Sequence, residues 1–276
     1  MSVDMVATAA AGAGWDEPPR RIGPRRTLRH GLTLAWRNVA QLRHSPEKLL
    51  DVTLMPIVFL LLFLYVFGGA VAGSTDAYLQ KLLPGLVAQM AMFATMGLGT
   101  ALNEDIHRGV FDRFRSLPIA RSAPLVGAVL GDTARFVMVM VMLVGFGSLL
   151  GFRFHTDPLS VVAAFALAYV FYLAVSWFSA LVGMLAPSPD TVQGLSFIWV
   201  MPLTFGSSVL MPDTSTMPGW LRAWADVNPV THLAEAVRAL TVGGPVGNHV
   251  WFTLAWAAGI VAVAFPLAIR AYNRRV

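Results

Sequence analysis

The sequence predicts an all-α membrane protein: six transmembrane helices, an N-terminal interfacial helix, a short cytoplasmic amphipathic helix, and a short re-entrant hairpin on the outer side before the last span. Three observations predict it. Hydrophobic residues make up 56% of the chain and charged residues 13%, with a mean hydropathy of +0.64, against roughly 25% charged in an average soluble domain. Apolar runs recur at about the 20 residues that a bilayer crossing requires. Basic residues collect beside those runs instead of forming a stripe with aromatic partners, so membrane topology explains the net charge of +5 and nucleic acid does not.

In chain order, residues 1–26 read as a disordered cytoplasmic tail, because Asp16 and Glu17 break the apolar run that a signal peptide needs. Residues 27–276 read as one transmembrane domain. From Thr27 to Leu42, the residues Leu28, Leu32, Ala35, Trp36, Val39 and Leu42 share a face, with arginines near the other, which suits a helix in the headgroup layer. Ser45 and Pro46 signal a helix start. Spans are expected at about 52–72, 83–102, 132–151, 158–186, 191–211 and 249–269. Eight Lys and Arg lie in the N-terminal region up to Asp51, four within 103–122 and three in the tail from Arg270, fifteen in all, whereas Lys81, Arg153, Arg222 and Arg238 alone fall on the other side. That asymmetry predicts a multi-pass plasma-membrane protein with both termini cytoplasmic.

Between the second and third spans lies a charged interruption. As a helix from Asn103 onward, Ile106, Val110, Phe114 and Leu117 share a face, Glu104 and Asp105 sit at its start, and Arg108, Asp112, Arg113 and Arg115 occupy the rest up to Pro118. Before the last span, Asn228-Pro229 caps a helix too short to cross, with Val230, Leu233, Ala234, Val237 and Leu240 on its apolar face and Gly243-Gly244 as its stop. Trp220, Leu221 and Trp224 precede it, completing an interfacial or re-entrant hairpin.

Several chemistries find no support in the residues. The two lysines, Lys48 and Lys81, lack the glycine-rich context of a phosphate loop, and the six scattered histidines predict no metal site. Cysteine is absent. Ser196 with His232 or His249 would be a poor protease, since the serine and the histidines are expected on opposite sides of the bilayer. Asp132 and Arg135, three residues apart on one helix face, read either as a local ion pair or as a substrate or proton site. Met90, Met92, Met96, Met138, Met140 and Met142, with Phe93, Phe136 and Phe146, read either as lipid- and helix-facing packing or as an adaptable apolar surface.

Three stretches together resemble the membrane subunits of type-2 ABC exporters, most closely permeases of the daunorubicin and doxorubicin resistance type. They are Ser45-Pro46-Glu47-Lys48 through Phe67-Gly68-Gly69, the core of Asn103–Asp132 with Arg108-Gly109 and Asp112-Arg113-Phe114-Arg115-Ser116-Leu117-Pro118-Ile119, and Asn228-Pro229-Val230-Thr231-His232 through Arg238-Ala239-Leu240. Val110 stands where such permeases commonly have Thr. The resemblance implies that Glu104, Asp105, Ile106, Arg108, Gly109, Val110, Asp112, Arg113, Phe114 and Arg115 form a coupling helix for a separate ATP-binding subunit. It further implies that Trp220, Trp224, Asn228, Pro229, Glu235 and Arg238 guard the exit. The chain itself would be no enzyme and carry no cofactor, with ATP and Mg bound by the partner. A second permease copy, membrane lipids and a hydrophobic small-molecule substrate complete the expected partners. Export of a lipid or polysaccharide, or action as a stand-alone secondary transporter, are the alternatives.

Overall fold

The computed structural model describes residues 46–110 and 123–275. The tail at 1–26, the helix expected over Thr27–Leu42, the Ser45 cap and, of the residues expected to couple to a partner, Asp112, Arg113, Phe114 and Arg115 lie outside the described residues. Within them the chain is helical, with no strand: α1 (Pro46–Ala72), α2 (Thr75–His107), α3 (Ala123–Leu149), α4 (Pro158–Leu185), α5 (Pro189–Phe205), α6 (Gly219–Val227), α7 (Pro229–Val242) and α8 (His249–Arg275).

The helix ends follow local chemistry. Ser74 accepts from the Ala77 N–H at 3.2 Å and starts α2 well before the span expected at 83. Asp157 caps α4 through the N–H (3.0 Å) and hydroxyl (2.7 Å) of Ser160, with Pro158 in the first turn. Those bonds from Ser160 hold the Asp157 carboxyl below its usual range. Ser188 caps α5 in the same way, and Asn228 caps α7. At Gly73, Gly151 and Gly243 the backbone takes φ of +74°, +109° and +100°, which ends α1, the turn after α3, and α7 in a conformation that favours glycine.

Among the described residues, five helices are long and apolar enough to cross a membrane: α1, α2, α3, α4 and α8. The fifth expected span, 191–211, differs. Its helix α5 has 17 residues, about 26 Å at the α-helical rise, and it stops at Phe205. The remainder, 206–211, is non-helical. Side chains compete for its backbone: the Ser207 hydroxyl donates to the Thr204 carbonyl at 2.5 Å and accepts from the Val209 N–H at 3.3 Å.

α2 is the centre of the bundle. In its most apolar window 83% of residues are buried, against 22–44% in the other four spans, and it packs against α1, α3, α4, α5 and α7. Its tightest seam is with α4. A Cβ on Gly183 would collide with the Gly99 carbonyl oxygen, and one on Gly99 would lie 2.8 Å from the carbonyl oxygen of Ser179. Across the seam the Ser179 hydroxyl donates to the Thr95 carbonyl at 2.5 Å, and Asn103 Nδ2 donates to the carbonyls of Gly183 (2.8 Å) and Ala186 (2.9 Å). Small residues and interhelical hydrogen bonds are what hold helices together where lipid tails are as apolar as leucine. Exposed apolar side chains, among them Leu62, Val141, Ile198 and Val263, cover the outside.

Gly183→Ala is expected to destabilise the purified protein by about 1–3 kcal/mol, since backbone on both sides must part. Gly145→Ala, in open space on α3, should be neutral or stabilising by a few tenths of a kcal/mol. Thermal unfolding of both variants in one detergent is the check.

Candidate functional site

At the C-terminal end of α2 the helix expected from Asn103 onward is interrupted within the described residues. α2 runs on through Glu104, Asp105 and Ile106 to His107, and Arg108 and Gly109 turn out of it, with Gly109 at φ +65°. The amphipathic spacing was real, but a left-handed glycine divides it, and helical backbone resumes at Val110. Arg108 pairs with Glu104 at 3.1 Å on an exposed surface, a contact worth little by itself. The strong contacts are made by residues the sequence reading passed over. His107 places Nδ1 2.8 Å from the Asn103 carbonyl and Nε2 3.0 Å from that of Pro187. Together with Asn103 on Gly183 and Ala186, it fastens the end of α2 to the turn between α4 and α5. Polar residues four apart at the end of an apolar run, opposite a Pro-Ser-Pro turn, were the available signal.

A second site is built around the non-helical stretch 206–211. Buried irregular backbone is tolerated at membrane depth only where protein satisfies it, and here distant side chains do so. Asn228 Nδ2 donates to the carbonyls of Leu203 (2.9 Å) and Gly206 (3.2 Å), while its Oδ1 accepts from the Val230 N–H. Tyr78 donates to the Leu210 carbonyl at 2.8 Å, and the Thr231 hydroxyl accepts from the Ser208 N–H at 3.2 Å. Glu235 accepts from the Ser208 hydroxyl (2.6 Å) and from Arg238 Nη1 (2.5 Å). Arg238 also donates to the carbonyls of Lys81 and Ser208, so it ties α2, the irregular stretch and α7 together. Trp224 Nε1 reaches the Pro202 carbonyl at 3.4 Å. Pro229 is buried in the first turn of α7, whereas Trp220 is 75% exposed and joins none of this.

His232 and His249, 17 residues apart in sequence, meet with their Nδ1 atoms 3.1 Å apart, and His232 stacks on Phe252. Two ring nitrogens can share one proton only if one ring is an acceptor. Burial, and next the neighbouring His249, push the His232 pKa below its ordinary 6.5. Among the described residues no group of three or more His, Cys, Asp or Glu could hold a metal ion.

Arg135 and Asp132 lie on α3 with Nη1 and Oδ1 4.0 Å apart. Asp132 Oδ2 accepts from the Tyr172 hydroxyl of α4 at 2.6 Å, and Tyr172 in turn stacks on Phe136 at 4.2 Å between ring centres. The arginine side faces a cavity of about 370 Å³ between α1, α2, α3 and α5, into which Met90, Phe93 and Met96 also project.

The family model described as ABC-2 type transporter matches residues 30–242. The chain belongs to the ABC-2 type transporter family. It is 44% identical over 261 residues to the daunorubicin resistance ABC transporter permease protein DrrB1 of Streptomyces coeruleorubidus, covering 94% of this chain and 90% of that one. A probable doxorubicin resistance ABC transporter permease protein, DrrC of Mycobacterium tuberculosis, is 26% identical over 217 residues, 78% of each chain. A putative transport permease, ycf38 of Cyanophora paradoxa, is 26% identical over 212 residues, covering 75% and 72%. Membership and the five apolar helices make this a multi-pass membrane protein, and ABC-2 permeases imply a separate ATP-binding partner.

Asn228→Ala should cost about 2–3 kcal/mol, one cap and two carbonyl partners together, and loosen the stretch 206–211 first; faster hydrogen exchange across 203–210 than in the spans is the check. Because the folded pKa of His232 lies below its unfolded 6.5, the unfolded chain takes the proton first as pH falls. Thermal stability should therefore be full above about pH 7 and decline through about pH 6 and below, and His232→Gln should flatten that decline.

Proposed function

We propose that this chain is the drug-efflux permease of an ATP-driven exporter, moving hydrophobic or amphipathic small molecules outward across the plasma membrane. The observation that carries the reading is the close relationship over nearly the whole chain to a daunorubicin resistance permease. The chain contributes no ATPase and binds no cofactor of its own; ATP and Mg belong to the partner subunit. Two permeases and two ATP-binding subunits form the working unit, with six spans per permease. α5, completed by the irregular stretch 206–211, is the fifth crossing in chain order and brings the total to six, and both termini are cytoplasmic, as fifteen against four basic residues favour.

Glu104, Asp105, Ile106, Arg108, Gly109 and Val110, with Asp112, Arg113, Phe114 and Arg115 beyond them, dock in the cleft of the ATP-binding subunit. The bonds of Asn103 and His107 to the α4–α5 turn support a mechanical role. A push on the coupling segment reaches α2, α4 and α5 together. On the outer side Asn228, Pro229, Glu235 and Arg238 hold the exit closed, and Trp220 and Trp224 line its rim. Lipid export within the same family is the second reading, favoured by the broad apolar outer surface.

Co-expression with a neighbouring ATP-binding subunit tests this. The two should purify together, with ATP hydrolysis stimulated by an amphipathic drug; a chain that purifies and works alone overturns the reading. Phe114→Ala and Arg113→Ala should abolish drug efflux while leaving membrane insertion intact. His107→Ala should lower transport per ATP hydrolysed by about threefold to tenfold, since one to two hydrogen bonds of the linkage are lost.

A further inference from the structure

Arg135 sits twelve residues into the 27-residue helix α3, about 18 Å from its start. A cation midway along a span is expensive unless its charge and its donors are met. Here they are met incompletely. Asp132 stands 4.0 Å away, beyond hydrogen-bond range, and its other oxygen is committed to Tyr172. Arg135 Nε is buried and has no acceptor among the described residues. The guanidinium rests on Gly97 of α2, where a Cβ would fall on Nη1. Glycine at 97 is what allows the fork to lie against the wall of the cavity.

That cavity, about 370 Å³, is lined by Met55 and Phe59 of α1, Phe93 and Met96 of α2, and Phe197 of α5, and Arg135 is its one polar lining side chain among the described residues. Asp132 does not line it. A molecule in the cavity therefore meets thioethers and aromatic rings along its body and, at one end, a guanidinium whose nearest carboxylate stands 4.0 Å off. Thioethers and rings adapt to varied apolar shapes, and the volume is that of a small-molecule site. A guanidinium in a low-dielectric wall binds a planar oxyanion through two parallel N–H···O bonds and repels an ammonium.

We propose that this cavity is a binding site for an amphipathic small-molecule anion, with a carboxylate or sulfonate head on Arg135 and an apolar body among the methionines and phenylalanines. This rests on the drug-efflux reading only for its biological purpose; the binding itself needs neither ATP nor a partner. Arg135 is the specificity-determining residue, and Gly97 is the residue that positions it.

The test is equilibrium titration of the full chain in phosphatidylcholine nanodiscs with dansyl-undecanoic acid and with its uncharged amide. The acid should bind at least about tenfold more tightly than the amide, the worth of a charge-assisted pair. Arg135→Gln should bring the two within about twofold of each other by weakening the acid alone. Arg135→Lys, which keeps the charge if the glutamine variant fails to insert, should reduce the preference to about threefold by losing the paired geometry. Met55→Trp, at the exposed mouth, should weaken both ligands alike. Equal binding of acid and amide by the unaltered chain, or a preference that survives unchanged in both Arg135 variants, overturns the proposal. So does loss of acid binding in phosphatidylglycerol discs as complete as that caused by Arg135→Gln, which would assign the guanidinium to a lipid phosphate. None of these outcomes bears on whether the chain exports drugs, which the co-purification and efflux measurements decide separately.

Discussion

The contact on which the rest depends is the backbone-to-backbone approach of α2 and α4 at Gly99 and Gly183. Water drives no association between helices in hydrocarbon, so close van der Waals packing and satisfied polar groups must supply it. Glycine at both positions lets the two backbones meet, and that proximity brings Ser179 onto the Thr95 carbonyl and Asn103 onto the Gly183 and Ala186 carbonyls. A side chain at either glycine would separate the helices and lengthen all three bonds. With α4 fixed against α2, α8 packs on α4, and α1, α3, α5 and α7 fill the remaining surface of α2.

The two ends of α2 then receive different treatment. Its N-terminal half meets the irregular stretch 206–211, and Gly85 lets the Val209 carbonyl approach to within 2.6 Å of where a Cβ would be. Polar groups of Gly206, Ser208 and Leu210 are met by side chains from other elements, so the break in α5 is held by the fold around it. The C-terminal end of α2 is fastened to the α4–α5 turn through Asn103 and His107. One continuous helix thus connects the site at 206–211 to the segment that enters the ATP-binding partner on the proposed reading.

Much of this was legible in the sequence because it is local. Asp157-Pro158, Ser188-Pro189 and Asn228-Pro229 mark helix starts by cap chemistry, and Gly243 marks a stop, so those boundaries lie close to the expected ones. The end of α5 was not legible. Residues 206–211 are nearly as apolar as a span, and beside the local bonds of Ser207 the non-helical stretch is held by Tyr78, Thr231, Glu235 and Arg238, all distant in the chain. The helix expected from Asn103 onward is interrupted for a smaller reason, a glycine at 109 whose left-handed conformation the apolar spacing does not register. His232 beside His249, and Arg135 on Gly97, are products of packing, and spacing along one chain carries no signal for either.

Helical geometry relates the seam to the cavity. At about 100° per residue, Thr95, Gly99 and Asn103 occupy one face of α2, while Phe93 and Gly97 lie roughly opposite. One face is locked to α4; the other forms a wall of the cavity with α1, α3 and α5. On the proposed reading, a displacement entering beyond His107 would move α2 and α4 as a unit, because the seam between them has no slack at Gly99 and Gly183. It must then be absorbed on the opposite face, where flexible methionines and a guanidinium held by one distant carboxylate offer the least resistance. The cavity is therefore the place where motion of α2 changes its surroundings most, and the same looseness that leaves Arg135 short of an acceptor in this conformation lets the site alter its grip when α2 moves.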